Sequence, residues 1–113
     1  MGRCRLDILL EEDVFACRSC RTHLTRLCHL VSKDFTGKTG QAAYLFANVV
    51  NVRLGDPEDQ LLQTGLHTIK KVFCKEDSCD AQIGWMYTDA HDSVNKYKVG
   101  KVCLERCLIS PAF

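Results

Sequence analysis

The sequence has few residues that break regular structure and almost no excess of charge. Only two prolines, Pro57 and Pro111, stand among its 113 residues, and no internal repeat or low-complexity segment is visible. No apolar run approaches the ~20 residues that span a bilayer as a helix, so no membrane association is expected. Fifteen basic residues face fourteen acidic ones, for a formal charge of +1. Such a balance lacks the basic footprint of a nucleic-acid binder, and nucleic acid is not an expected partner. The opening "MGRCRLDILLEED" carries acids where a secretory signal needs an apolar run and a small-residue cleavage site. Met1-Gly2 begins like a myristoylation signal, but Leu6 stands where Ser or Thr is wanted. The expectation is an intracellular chain.

Cysteine, by contrast, is abundant: there are eight. An intracellular chain keeps its thiols reduced, so close cysteine pairs read first as metal ligands. The rest of the composition is ordinary for a soluble globular protein, with 46% hydrophobic and 26% charged residues. The length suits one domain with a modest core.

Residues 1–13 read as a lead-in and 110–113 as a tail, with one domain over 14–109 between them. Within it the text is strand-like. "AYLFANVVNV" (43–52) is apolar on both faces, as a buried strand is. "TGLHTIKKVFC" (64–74) predicts a strand. "QIGWMYT" (82–88) predicts another, with Ile83, Trp85 and Tyr87 on one face. "KVCLERCLI" (101–109) predicts a last strand with Val102, Leu104 and Leu108 on one side. "DFTGKTGQ" (34–41) reads as a loop, "GDPED" (55–59) as a turn and "DAHDSVNKYKVG" (89–100) as irregular. One short helix is expected near 59–63. The fold class is mainly β, with antiparallel pairing.

Two cysteine pairs carry the chemistry. Cys17 and Cys20 have two residues between them, and Cys74 and Cys79 are separated by Lys-Glu-Asp-Ser, a set of turn residues. Both spacings lie in the range of structural zinc sites. Each pair follows an apolar strand end, Val14-Phe15 and Val72-Phe73. Two such knuckles from separate hairpins predict one tetrahedral four-cysteine zinc site. His23 is a poorer substitute ligand. Cys103 and Cys107 are four apart, which in a strand means ~13 Å, too far to share an ion. With Cys28 they read as small buried apolar residues. Cys4 carries no signal, and His29 and His91 read as surface or structural residues. A redox role for Cys17 and Cys20 needs a helix start to lower the thiol pKa, and "RTHLTRL" is a poor helix. "TGKTG" fails as a phosphate loop, because Ser32 stands where its first glycine belongs.

Five stretches in order resemble the Yippee family: the Cys17/Cys20 pair, "GQAAYLFANVVNV" (40–52), "TGLHTI" (64–69), "IGWMY" (83–87) and "KYKVGK" (96–101). The likeness covers about residues 14–109. It departs at the second knuckle, which is two residues wider than the family's, and at Cys103, where the family usually carries an aliphatic residue. The resemblance implies a β-tent, two antiparallel sheets pinned by one structural zinc. Similar domains occur in Mis18, the thalidomide-binding domain of cereblon, RIG-I-like receptors and methionine sulfoxide reductase B. It also implies an intracellular protein of nucleus and cytoplasm, linked to cell division and ubiquitin-ligase assemblies.

Fold does not choose among the activities of that group. The first reading is a zinc-stabilised adaptor, binding a protein or small ligand through an aromatic groove of Trp85, Tyr87, His67, Tyr44 and Phe46. Such a cage suits a cyclic imide, a modified side chain or a cation. The same aromatics also suit a core, and His67 beside Gly65 suits a bond to a backbone carbonyl. The second reading is a reductase with Cys103 as nucleophile, which Glu105 opposes. The third is a nucleic-acid-binding zinc domain. No catalytic residue is expected.

Overall fold

In a computed structural model, residues 13–37, 40–62, 65–76, 79–90 and 93–111 are described. Their strands are β1 (Val14–Cys17), β2 (His23–Arg26), β3 (Leu30–Thr36), β4 (Ala42–Phe46), β5 (Val52–Leu62), β6 (Gly65–Cys74), β7 (Gln82–Ala90), β8 (Val102–Glu105) and β9 (Ile109–Pro111). All pairings are antiparallel. A small sheet has the order β2-β1-β9 and a large one β3-β4-β8-β7-β6-β5. The expected two-sheet, mainly β fold is observed. The lead-in at 1–12 and the last two residues lie outside the described residues. Ser110 and Pro111 pair with Ala16 and Phe15, so β9 runs past the expected domain end at 109.

Alternation along the strands sorts the core into two clusters. Phe15, Cys17 and Leu24 of the small sheet pack with Phe46, Val72, Ile83, Val102 and Leu104 of the large one. On the other face of the large sheet, Ala43, Leu45, Ile69, Tyr87 and Cys103 form a second cluster, flanked by Phe35 and Trp85. Each fully buried large apolar side chain contributes about 1.5–3 kcal/mol.

Several local expectations give way to long-range pairing. The segment 55–59 is not a turn, and 59–62 is not helical. Both belong to β5, an eleven-residue edge strand that pairs with β6 through Asp59↔Thr68 and Gln60↔His67. Pro57 is tolerated because the strand is an edge and its register shifts between Leu54 and Pro57. Strand β4 stops at Phe46, short of the expected 52. The next backbone groups bond across to the β2 side instead: Ala47 N–H to His29 O (2.8 Å) and Val50 N–H to Leu24 O (2.7 Å). Likewise Thr25 Oγ1 donates to Asn48 O (2.6 Å). The loop expected over 34–41 is shorter, because β3 extends to Thr36.

The expected last strand is broken. A 3-10 turn at Arg106–Leu108 carries the chain from β8 in the large sheet to β9 in the small one. A matching turn at Leu27–His29 carries it from β2 to β3. These corners expose Cys107 and Cys28, both expected to be buried. In β7 the register shifts opposite Val72/Phe73, and Ile83 joins the inter-sheet cluster rather than the face of Trp85 and Tyr87. A bulge of one residue flips a side chain to the other face.

Candidate functional site

The four knuckle cysteines meet at the strand ends. Cys17 closes β1 and its N–H donates to Thr22 O (2.9 Å), while Arg21 N–H donates to Cys17 O (2.8 Å). Cys74 closes β6 and its N–H donates to Ala81 O (2.8 Å), while the N–H groups of Cys79 and Asp80 donate to Glu76 O (2.9 Å each). In both loops the residue after the second cysteine is left-handed: Arg21 at φ 68° and Asp80 at φ 46°. The two extra residues of the second loop therefore leave the same kind of closure in place.

The four sulfurs lie within 4.8 Å of one another. Cys17 Sγ is 3.7 Å from Cys79 Sγ, and Cys20 Sγ is 3.4 Å from Cys74 Sγ. Four thiolates about 2.3 Å from one zinc sit roughly 3.8 Å apart at the corners of a tetrahedron, so this set fits that ion. All four thiols are free. Burial pushes the Cys74 thiol up to about 12, whereas the Thr22 hydroxyl, 3.1 Å from Cys20 Sγ, brings that thiol down to about 7. When bound, a zinc ion would supply the positive charge that lets all four ionise together, and would tie the β1–β2 turn to the β6–β7 turn. His23 is exposed on β2 and outside the cluster. Cys17 and Cys20 lie at a turn between strands, not at a helix start.

Away from this centre the large sheet curls, and its two edge strands flank a cleft of about 650 Å³. Ser32, Asp34, Phe35 and Thr36 come from β3, and Gln60 and Leu61 from β5. Ile69, Lys71, Trp85, Tyr87 and Glu105 line it from the strands between. Asn95, Tyr97 and Lys98 come from a 3-10 segment at Ser93–Lys98, within the stretch expected to be irregular. Trp85 and Tyr87 meet edge to face, with ring centroids 6.3 Å apart at 77°. Burial pushes the Tyr87 phenol above its usual range, with Trp85 opposing as a neighbouring donor. The buried Trp85 Nε1 still makes no hydrogen bond of good geometry among the described residues.

The expected aromatic set is divided. Trp85 and Tyr87 line the cleft. Phe46 is buried in the inter-sheet core, and Tyr44 packs beside it against Phe15, on the opposite face of β4. Period-two alternation forces this, because Tyr44 and Phe46 share one face and Leu45 points to the other. His67 is buried behind Tyr87, centroids 5.2 Å apart, and its Nδ1 is 2.8 Å from Gly65 O. It does not line the cleft. Cys103 is also buried away from it, and desolvation pushes its thiol up to about 12, with Glu105 adding to the rise and Lys98 opposing it. Cys4 and His91 lie outside the described residues, and His29 is half-buried.

Sequence reasoning missed Phe35, Asn95, Tyr97 and Lys98. Phe35 sat in an expected loop. Lys98 is only 2% exposed, and no local signal marks a lysine as buried. The one available hint was the "KYK" text of the family-like stretch.

Comparison with known proteins agrees with this architecture. A family model described as Yippee zinc-binding/DNA-binding/Mis18, centromere assembly, matches residues 13–111. Protein yippee of Drosophila melanogaster is 43% identical over 112 residues, covering 99% of this chain and 90% of that protein. A yippee-like protein of Arabidopsis thaliana is 44% identical over 110 residues, covering 97% and 88%. The crystal structure of the Mis18 "Yippee-like" domain superposes with a TM-score of 0.67 at 16% identity, over 86% of this chain and 91% of that one. At that identity the superposition speaks for the fold, and the fold agrees. With its whole described length matched and its four cysteines gathered, the chain belongs to the Yippee-Mis18 family.

Proposed function

We propose that the chain is a zinc-stabilised binding module, with one structural zinc on Cys17, Cys20, Cys74 and Cys79 and an aromatic-walled cleft that recognises a protein or small ligand. The observation that carries this reading is the cleft itself. Its volume lies in the range of ligand sites, and a half-buried tryptophan forms part of its wall. Exposed Leu61 (82%) and Tyr97 (51%) on its lining add apolar surface of the kind partners cover. The module works as an adaptor in nucleus and cytoplasm, inside a larger regulatory or ubiquitin-ligase-like assembly, without a membrane. The adaptor role in such assemblies and the two compartments rest on the family resemblance.

No turnover is proposed. A nucleophilic cysteine must be a reachable thiolate, whereas Cys103 is buried and its thiol is raised. The matching family description includes DNA binding, but the near-neutral charge of this chain offers no footprint for it.

Trp85→Ala tests the reading by a thermal melt and a pull-down on the same purified protein. If Trp85 serves recognition, capture of the partner from native cell extract is lost while zinc stays at one per chain and the melting point falls little. If it serves only the core, stability drops by about 3–5 kcal/mol and the folded fraction still captures its partner. That second result ends the recognition reading.

A further inference from the structure

The two sheets have four edge strands, β2, β9, β3 and β5, and three of them are closed to a further strand. The segment after β4 covers β2: Val50 N–H donates to Leu24 O (2.7 Å), Thr25 Oγ1 to Asn48 O (2.6 Å) and Asn51 Nδ2 to His23 O (2.8 Å). Strand β9 has three residues and ends on Pro111, which has no N–H to offer. Strand β3 changes register twice along β4, and Ser32 Oγ accepts from the N–H of Asp34 (3.1 Å). Shortness, proline, irregular register and covering loops are the usual protections of an edge.

The fourth edge is open over part of its length. Strand β5 has eleven residues and pairs with β6 alone among the described residues. Its register shift and its proline lie in the first half, and from Glu58↔Ile69 to Leu61↔Leu66 the pairing is regular. No backbone group of 53–61 bonds outside the β5–β6 ladder among the described residues. An antiparallel strand points alternate N–H and C=O pairs away from its partner, so 58–61 presents an unpaired row. Gln60 and Leu61 stand on that row and also line the cleft, and Leu61 is 82% exposed.

The charges of this edge choose its occupant. Asp56, Glu58 and Asp59 lie on it, with no basic residue from 54 to 61. On β6, Lys71 is 3.8 Å from Glu58, and Lys70 pairs across from Pro57. Asp59 is exposed and accepts from Thr68 Oγ1 (2.7 Å), and Asp56 is exposed with no partner among the described residues. An antiparallel second copy would set these acids against each other, and like charges destabilise a strand pair. A strand that carries lysine or arginine meets them with the opposite sign.

We propose that an extended segment of a protein partner, bearing lysine or arginine at alternate positions, adds to β5 as a further strand along 58–61, with an apolar side chain over Leu61. This rests on the reading of the cleft as a recognition site and names the kind of partner. Main-chain bonds to the open row supply the attachment, and side-chain contacts supply the choice. Because Gln60 and Leu61 belong to the lining, the added strand extends the cleft wall, and one of its two faces turns toward the cleft.

The test uses the full zinc-loaded chain labelled with nitrogen-15. The probe is a short acetylated, amidated peptide that alternates lysine with valine. One twin replaces lysine by glutamate, and a second is N-methylated at every amide, which keeps the charges but removes the N–H groups. The basic probe should shift the amides of 58–61 saturably and slow their hydrogen exchange by about tenfold or more. It should bind about tenfold tighter than either twin.

Asp56→Asn with Asp59→Asn should erase most of the preference over the acidic twin. Should that variant fail to fold, Leu61→Ala serves instead, because a side chain so exposed adds little to the core, and it should weaken the basic probe several-fold. The proposal is overturned if either twin binds as tightly as the basic probe, if the shifts fall on another edge, if the amides of 58–61 stay unprotected at saturation, or if a folded variant binds as the parent does. It is also overturned if the chain dimerises through β5 in place of taking up the probe. Any of these with Trp85-dependent partner capture intact would end the strand addition and leave the recognition reading standing.

Discussion

The carbonyl oxygen of Cys103 lies 1.9 Å from the point a Cβ on Gly84 would occupy, and the Cα of Leu104 lies 3.0 Å from it. Gly84 pairs with Leu104 across β7 and β8, so the obstruction is backbone and cannot rotate aside. Gly84→Ala should therefore separate the two central strands. The expected cost is about 3 kcal/mol or more, at the upper end of core overpacking, read as a fall in melting temperature. An unchanged melt would mean that the strands do not approach this closely.

Metal content is the second test. Elemental analysis of the purified chain should give one zinc, and a strong chelator should abolish cooperative unfolding. Structural zinc binds finger peptides with about 10–16 kcal/mol at pH 7, which matches or exceeds the roughly 5–15 kcal/mol that holds a small domain together. Cys74→Ser should behave like the chelated protein. A zinc-free chain that melts sharply would remove the metal from the account.

The thiols outside the knuckles should divide by exposure. Cys28 and Cys107 sit on the exposed corners and should alkylate in the native state, while Cys103 stays protected until unfolding. Mass spectrometry of peptides after a brief iodoacetamide pulse distinguishes them. The raised Cys103 pKa also sets a pH window. Its thiol titrates near 9.0 when unfolded and about 12 when folded. The folded state therefore holds the proton more tightly, and this contribution to stability is complete below pH 9 and lost as pH rises toward 12. Cys103→Ala should flatten the alkaline part of the stability curve.

Left-handed residues behind each cysteine pair offer a backbone test. A non-glycine residue pays ~1–2 kcal/mol there and glycine almost none. Arg21→Gly should be neutral or stabilising by up to ~1 kcal/mol. Arg21→Val, with a branched Cβ at φ 68°, should destabilise and weaken zinc retention. At Asp80 the gain from glycine should be smaller, because Asp80 also accepts from Arg53 Nη2 at 2.8 Å. That ion pair is about half exposed and worth ~0–1 kcal/mol. Equal responses at the two sites would show that backbone strain is not the shared cause.

What the sequence alone determined was whatever rests on near neighbours. Two cysteines with two or four residues between them, each pair after an apolar strand end, specify a turn and a ligand pair whatever lies elsewhere. Alternation in β4 and β8 specifies which side chains share a face, and the mainly β class follows. Tertiary structure decided the rest. Residues 55–62 carry turn and helix signals, yet they lie in an edge strand because β6 offers a ladder to pair with. Ile83 leaves the face of Trp85 through a bulge set by the partner strand. Tyr44 and Phe46 are separated from Trp85 because β4 carries these aromatics on its face toward the small sheet, whereas β7 carries Trp85 on the face away from it. Lys98 is buried only because Phe35, more than sixty positions earlier, and Tyr87 meet above it. Local spacing fixes local chemistry, but the cleft is made by closing a sheet whose edges are distant in sequence, and no short window contains that information.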